Sequence, residues 1–315
     1  MTKRENLLFI GEPMLELVST HSGSLKTSFA GDVYNTSVYI KRAFPSNRVH
    51  FMTAIGQDKL SNDFISQVKS EDIDTSYIGL SSNKHMGAYM VLNDEDGERS
   101  FIYWRNDSAA KRMMSSLPDI VKEDSDYPFA YIFFSGITLA ILDNVEREKF
   151  WQFIASAKAK GVSLIFDPNY RPLLWGDASE AKAQFEIAYQ QSDWLLPGLD
   201  DFKALYGIDS IEACIDFCRD YDFTELVIKQ GHDPVHVISP EGAKVIEIER
   251  SSNVVDTTSA GDAFNGVYIG ARLSGKTPKE SVLMANYAAM KVIETRGAIM
   301  PKPLFMQAIS SYSPK

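Results

Sequence analysis

The clearest chemical signal in the chain is the stretch Asn253-Val-Val-Asp-Thr-Thr-Ser-Ala-Gly-Asp-Ala-Phe-Asn-Gly266. Ser259, Ala260 and Gly261 have small side chains and lead into a helix-like run from Ala263 to Leu273, which leaves backbone N–H groups bare at a helix N-terminus. Bare amides and the positive end of the helix dipole make an anion hole, suited to charge that builds up on a transferring phosphoryl group. Asp262 stands at the mouth of that hole, placed to accept a hydroxyl proton during in-line transfer. Asp is also a favoured helix cap, so Ala-Gly-Asp taken alone leaves the catalytic and the capping readings both open.

The rest of the chain has to position that segment. Leu7 to Ile10 is a short apolar run closed by Gly11, which predicts a buried first strand ending in a turn. Similar runs recur at 130–134, 162–166, 194–196, 225–229 and 236–238, and helix-like patterns fall at 144–160, 179–191, 200–206 and 210–221. Strands alternating with helices predict an α/β fold with a mostly parallel sheet covered on both faces, and ligands outside the carboxyl ends of its strands. Residues 12–35 and 85–105 alternate with a period of two instead, around a turn-rich segment at 93–97. They predict a small separate antiparallel sheet, usable as a lid over a site or as a surface for pairing with a second copy. No repeat or long linker divides the chain, so 1–315 reads as one domain with a small β lid.

With 315 residues and 44% hydrophobic content the chain can bury a large core. Its 42 acidic against 32 basic side chains, a net charge of −10, argue against a nucleic-acid or anionic-membrane partner and favour a small molecule. Cys214 and Cys218 have no His or further Cys nearby, which fits two buried thiols in a reducing cytoplasm rather than a metal site. The N-terminal apolar run is too short for a signal peptide, and no stretch approaches the roughly 20 apolar residues of a membrane span.

Read together, these residues resemble the ribokinase-like, or PfkB, family of carbohydrate kinases. The segment Asp256-Thr-Thr-Ser-Ala-Gly-Asp262-Ala-Phe264 resembles the family's terminal signature, with Ser259 where Gly is usual. That exchange preserves the anion hole provided the backbone there needs no positive φ. A second signature is similar to Ala30-Gly31-Asp32-Val33-Tyr34-Asn35, with Ala30 replacing a Gly. Within the family the lid and middle segments resemble the keto-deoxy sugar acid kinases, through Gly31 to Tyr39, Gly97 to Lys111 and Phe166 to Trp175. The resemblance implies a ribokinase-like fold, with ATP as phosphoryl donor, and phosphorylation of the terminal hydroxyl of 2-keto-3-deoxygluconate.

It also implies site residues. Asp262 is the base, with the amides of 259–262 as the hole; Gly31, Asp32, Asn35, Tyr89, Tyr103, Arg105 and Arg171 face the sugar. A planar carboxylate is best matched by a guanidinium fork, which makes Arg105 and Arg171 the candidates for the acid group. Lys229, Gly231 and Asn286 fall beside the nucleotide, and Asp201 stands where relatives orient a Mg²⁺-bound water, although Gly198 replaces their Asn. Asp256 and Thr295 to Ala298 mark a possible monovalent-cation site, and the lid suggests a dimer. Fructose or a stereoisomeric acid remains an alternative substrate. From other classes, a non-catalytic sugar-acid sensor is weakened by the presence of Asp262, and a dinucleotide oxidoreductase by the lack of Gly-x-Gly-x-x-Gly after the first strand.

Overall fold

Leu7 to Ile10 is apolar without alternation because both of its faces are covered. In the computed structural model, which describes residues 6–19, 24–93, 99–118 and 127–313, it forms β1 (Asn6–Ile10) inside a nine-stranded sheet. On one side β1 pairs in parallel with β4 (Arg48–Ile55), which pairs with the short β5 (Ile78–Leu80). On the other side follow β8 (Tyr131–Ser135), β9 (Ser163–Asp167), β10 (Trp194–Leu195) and β11 (Glu225–Ile228), all parallel. β12 (Val235–Ser239) and β13 (Gly242–Ile246) close that edge as an antiparallel hairpin.

The two faces of β1 feed two cores. Leu8 and Ile10 pack under α3 (Gly136–Ile141), α4 (Asn144–Ala159), α5 (Ala178–Gln191), α6 (Leu199–Tyr206) and α7 (Ile211–Cys218). Leu7 and Phe9 pack under α1 (Asp32–Ala43), α2 (Lys59–Ser70), α8 (Ala260–Leu273), α9 (Pro278–Ile293) and α10 (Lys302–Ser310). Side-chain caps set several helix starts: Asp143, Asp177 and Ser210 each accept an amide of the first turn. Cys214 and Cys218 are buried free thiols of α7, which stops at Cys218 rather than running on to 221. No helix among the described residues is long and apolar enough to cross a membrane.

The strand expectations hold to within about a residue, with three additions. β5 spans only three residues, too few for a period; β13 is an edge strand with mostly exposed side chains; and the run of β4 is interrupted by Arg48 and His50. The lid requires two corrections. Its strands are β2 (Met14–Ser19), β3 (Leu25–Ala30), β6 (Gly87–Asn93) and β7 (Arg99–Trp104), so 32–35 is no strand but the opening of α1. The order is β3-β2-β6-β7, and β2 pairs with β6 in parallel, so the sheet is mixed rather than antiparallel. Between β2 and β6 the chain crosses the main sheet through α1, β4, α2 and β5, and such a crossover returns a strand in the same direction. Residues 94–97 of the expected turn lie outside the described residues.

Helices α1 and α8 meet backbone to backbone. A Cβ on Gly266 would lie 2.6 Å from the Thr36 carbonyl oxygen and 3.0 Å from the Ile40 nitrogen. At Gly261, in the first turn of the same helix, a Cβ would meet nothing within 4 Å. Gly266→Ala is therefore expected to destabilise the protein by about 1–3 kcal/mol, with Tm falling by several degrees, because helix backbones cannot yield as a flexible side chain does. Gly261→Ala should leave Tm level or slightly raised. Thermal unfolding by circular dichroism checks both; equal Tm values for the two variants would contradict the close-packed crossing.

Candidate active site

The carboxyl ends of β1, β8, β9 and β11, the N-terminus of α8 and the inner side of the lid enclose a cleft of about 630 Å³. Every candidate residue lines it: Gly31, Asp32, Asn35, Tyr89, Tyr103, Arg105, Arg171, Asp201, Lys229, Gly231, Ser259, Ala260, Gly261, Asp262 and Asn286. Residues separated by up to 255 positions share this space because the parallel strands all open toward it.

Helix α8 begins at Ala260, three residues earlier than the sequence pattern suggests, so Asp262 lies in its first turn. The Ala260 amide donates to the Thr257 carbonyl at 3.3 Å, while those of Gly261 and Asp262, two residues that line the cleft, have no carbonyl four residues back within the helix. Ser259 is the N-cap with φ 65° and ψ 12°, in the left-handed region. The condition set for Ser in place of Gly, a backbone without positive φ, is not met: the turn has positive φ, and serine bears a cost of about 1–2 kcal/mol that glycine escapes. The position is strained, yet the small side chain keeps the amides uncovered. At the second departure, Ala30 is buried with Met14, Tyr89, Val91 and Ala298 in the lid core, so its methyl group has a use. Gly31 provides the tight approach, with φ 140° and room for a Cβ only 2.3 Å from the Glu12 carbonyl oxygen.

Asn35 Nδ2 donates to Asp262 Oδ2 at 2.8 Å, across the α1–α8 contact. Withdrawal from water pushes the Asp262 carboxyl up to about 7; the Asp32 carboxylate adds to this and the Asn35 amide opposes it. A carboxylate so tuned takes protons readily at neutral pH. Asp32 Oδ2 in turn accepts from Ser135 Oγ at 2.6 Å and from Asn169 Nδ2 at 2.9 Å.

One turn beyond Asp262, Asn265 donates to Asp167 Oδ2 and accepts from Lys229 Nζ, both at 2.8 Å. Lys229 Nζ lies 3.9 Å from Asp167 Oδ1. Burial pushes the Asp167 carboxyl up to about 6, against the pull of the Lys229 ammonium. Asp167, Asn169 and Glu12 all line the cleft, and sequence reasoning assigned none of them a role. The signal was there for two of them: Asp167 ends β9 at its carboxyl end, and Glu12 follows Gly11 at the end of β1.

Besides Asp32, Asn35 and Lys229, five more side chains expected to face ligands already have partners. Arg105 is paired with Glu12, because the end of β7 descends onto the end of β1. Asp201 accepts the amides of Tyr170 (2.8 Å) and Gly198 (3.1 Å), clasping two loops from the first turn of α6, and burial raises its carboxyl. Tyr89 is a buried cross-strand neighbour of Tyr103 and donates to Glu16 Oε1 at 2.6 Å, while Tyr103 is 52% exposed. Arg171 is exposed and donates to the Tyr170 carbonyl at 3.0 Å. Asn286 on α9 holds the Glu249 carbonyl at 2.9 Å. Asp256 accepts the amides of Thr258 and Gly297, tying the turn before α8 to residues 295–298.

The family description "pfkB family carbohydrate kinase" matches residues 5–304. The chain is 34% identical to the 2-dehydro-3-deoxygluconokinase of Escherichia coli K12 over 304 residues, 95% of this chain and 98% of that one. With the enzyme of the same name from Haemophilus influenzae it shares 31% over 305 residues, 95% and 96% of the two chains. Among solved structures, the 2-dehydro-3-deoxygluconokinase of Thermotoga maritima superposes with a TM-score of 0.83 at 20% identity, covering 97% and 99% of the two chains.

Two expectations follow from Asp262. First, kcat/KM should fall about tenfold per pH unit on the acid side of the Asp262 pKa, near 7, as the base takes a proton. A rate flat down to pH 5 would exclude a base of this pKa. Second, the raised pKa means the folded state binds this proton more tightly than the unfolded one, so the group's contribution to stability declines as pH rises from about 4 to 7. Asp262→Asn should therefore abolish turnover yet have a higher Tm than the parent at pH 8. That gap should narrow as pH falls toward the unfolded carboxyl's pKa.

Proposed function

The chain belongs to the pfkB family of carbohydrate kinases, and from that premise we propose that it transfers the γ-phosphoryl group of ATP to the terminal hydroxyl of 2-keto-3-deoxygluconate, giving the 6-phosphate and ADP. Supporting the substrate are its 31–34% identity to curated 2-dehydro-3-deoxygluconokinases over nearly the whole chain and two arginines in one cleft with Asp262. The single observation that carries the chemistry is Asp262 itself, a carboxylate tuned to about 7 in the first turn of α8.

The geometry supports the following course. Arg171, and the N–H groups of Arg105 not used by Glu12, hold the substrate carboxylate. Gly31, Asp32, Asn35, Tyr89 and Tyr103 define the sugar's place, with the lid excluding water. Asp262 takes the proton of the terminal hydroxyl while its oxygen bonds to phosphorus and the bond to the ADP oxygen breaks. Charge on the phosphoryl oxygens meets the amides of Ser259, Ala260, Gly261 and Asp262 at the positive end of α8. Lys229, Gly231 and Asn286 lie on the part of the cleft assigned to the nucleotide.

Mg²⁺ would supply further charge neutralisation. No set of three metal-ligating side chains occurs among the described residues. That suits an ion carried mainly by phosphates and water, with Asp167 offering a carboxylate and Asp201 bracing the loop behind it.

The lid and the main sheet are read as one catalytic unit that pairs with a second copy. All the side chains from Ser100 to Trp104 are exposed on β7, an edge strand. A free edge carrying Ile102 and Trp104 in water invites strand or face pairing, while Phe101 and Tyr103 line the cleft. Light scattering after size exclusion should give a dimer or larger assembly for the parent and a smaller species for Ile102→Glu; a monomeric parent would remove this reading.

The substrate is tested with a panel of sugars and sugar acids and ADP detection. 2-Keto-3-deoxygluconate should be turned over with kcat/KM at least about tenfold above fructose, and Arg105→Ala and Arg171→Ala should each raise its KM by about tenfold or more while KM for ATP moves little. A preference for fructose with unchanged KM values would replace the sugar acid by a neutral sugar.

A further inference from the structure

Glu12 follows the turn that ends β1 and is 2% exposed, in a wall of the cleft. Its Oε2 accepts Arg105 Nη2, just past the end of β7, so the pair joins the main sheet to the lid's edge strand. The chain makes room for it with two glycines. A Cβ on Gly87, the first residue of β6, would lie 2.8 Å from Glu12 Oε1, and one on Gly31 would lie 2.3 Å from the Glu12 carbonyl oxygen.

The ion pair is made at one point only. Glu12 Oε1 and Arg105 Nε are both buried and neither finds a partner within the chain. A buried orphan donor or acceptor costs about 1–3 kcal/mol, so one of each within a single ion pair calls for a group that completes both. A carboxylate can only accept, and Glu12 already offsets much of the Arg105 charge. A hydroxyl both donates and accepts, which matches an unpaired oxygen beside an unpaired N–H.

We infer that Glu12 and Arg105 together form a hydroxyl-reading site for the polyol substrate, in which Oε1 accepts an O–H and Nε donates to a substrate oxygen, leaving Arg171 as the principal partner of the acid group. This rests on the reading of the cleft as a sugar kinase site, but not on the sugar being an acid. It predicts that discrimination against a substrate lacking one hydroxyl originates at Glu12, since a site built to bond a hydroxyl leaves its own polar atoms unpaired when the analogue lacks it.

The test pairs protein and substrate deletions. The parent and Glu12→Gln are assayed with 2-keto-3-deoxygluconate and its 4-deoxy and 5-deoxy analogues, or with the monodeoxy analogues of whichever sugar the parent accepts. For one analogue the parent should lose about tenfold or more in kcat/KM, while Glu12→Gln, whose neutral amide bonds the hydroxyl more weakly than a carboxylate, shows a penalty about threefold or more smaller, with KM for ATP unchanged in both. If Glu12→Gln does not fold, the double variant Glu12→Gln/Arg105→Gln, which leaves no unpaired buried charge, carries the comparison, and its deoxy penalty should likewise shrink. Equal penalties in parent and variant for every analogue would overturn the inference and assign the two orphan atoms to water. A parent that prefers a neutral sugar would refute the sugar-acid proposal alone, because the coupling is then read on that sugar.

Discussion

The crossing of α1 and α8 is the contact on which the site depends. Gly266 lets the two backbones touch, and that touch places Asn35 within hydrogen-bonding distance of Asp262. The first turn of α8 therefore faces the cleft as a fixed row of amides with a carboxylate among them. One turn further along, the same helix presents Asn265 to Asp167 and Lys229. One rigid element thus reaches both the groups proposed to face the sugar and those proposed to face the nucleotide, and positions fixed on a helix are held more closely than positions on a loop.

Bringing Asp32, Asp167 and Asp262 into one cleft is electrostatically unfavourable, and burial raises the carboxyls of Asp167 and Asp262. The surrounding side chains moderate that cost with directed amides rather than with full charge: Asn35, Asn169 and Asn265 each hold one carboxylate oxygen, and Lys229 is the nearby cation. Full neutralisation by arginines would hold the carboxyls low and leave weak bases. Amide partners orient the carboxylates while leaving a pKa near neutrality within reach. Ser259 adds local strain in the same turn, so the segment that carries the chemistry is also where stability is given up.

The lid meets this centre through a buried ion pair and is held together by its own polar and apolar contacts. Glu12 meets Arg105 at the end of β7, and Glu16 on β2 accepts from Ser28 on β3 and Tyr89 on β6. The lid's own buried core among the described residues is Met14, Ala30, Tyr89 and Val91 with Ala298, Val18 packs against that cluster, and Phe29 of β3 reaches Phe64 in the main core.

Much of this was legible in the residues themselves. Unbroken apolar runs at β1, β8, β9, β10 and β11 specified a parallel sheet, because a strand buried on both faces has no polar positions to alternate. The small residues at 259–261 before Asp262 specified a bare helix N-terminus, because that follows from local side-chain size. Every residue singled out for catalysis, sugar, nucleotide or Mg²⁺ does line the cleft, whereas Asp256, singled out for a monovalent cation, is not among its lining residues. What the sequence could not reveal is which of them face ligand and which face one another. Arg105 pairs with a glutamate 93 positions away, Asp201 clasps amides of two loops, and Ser259 sits at positive φ. The parallel pairing of β2 with β6 was likewise hidden, since it depends on the path of the intervening 67 residues. Composition and short-range spacing act within a few residues and so determine elements, caps and candidate chemistry. Partnerships depend on distances set by packing across the sheet, and only the tertiary structure decides those.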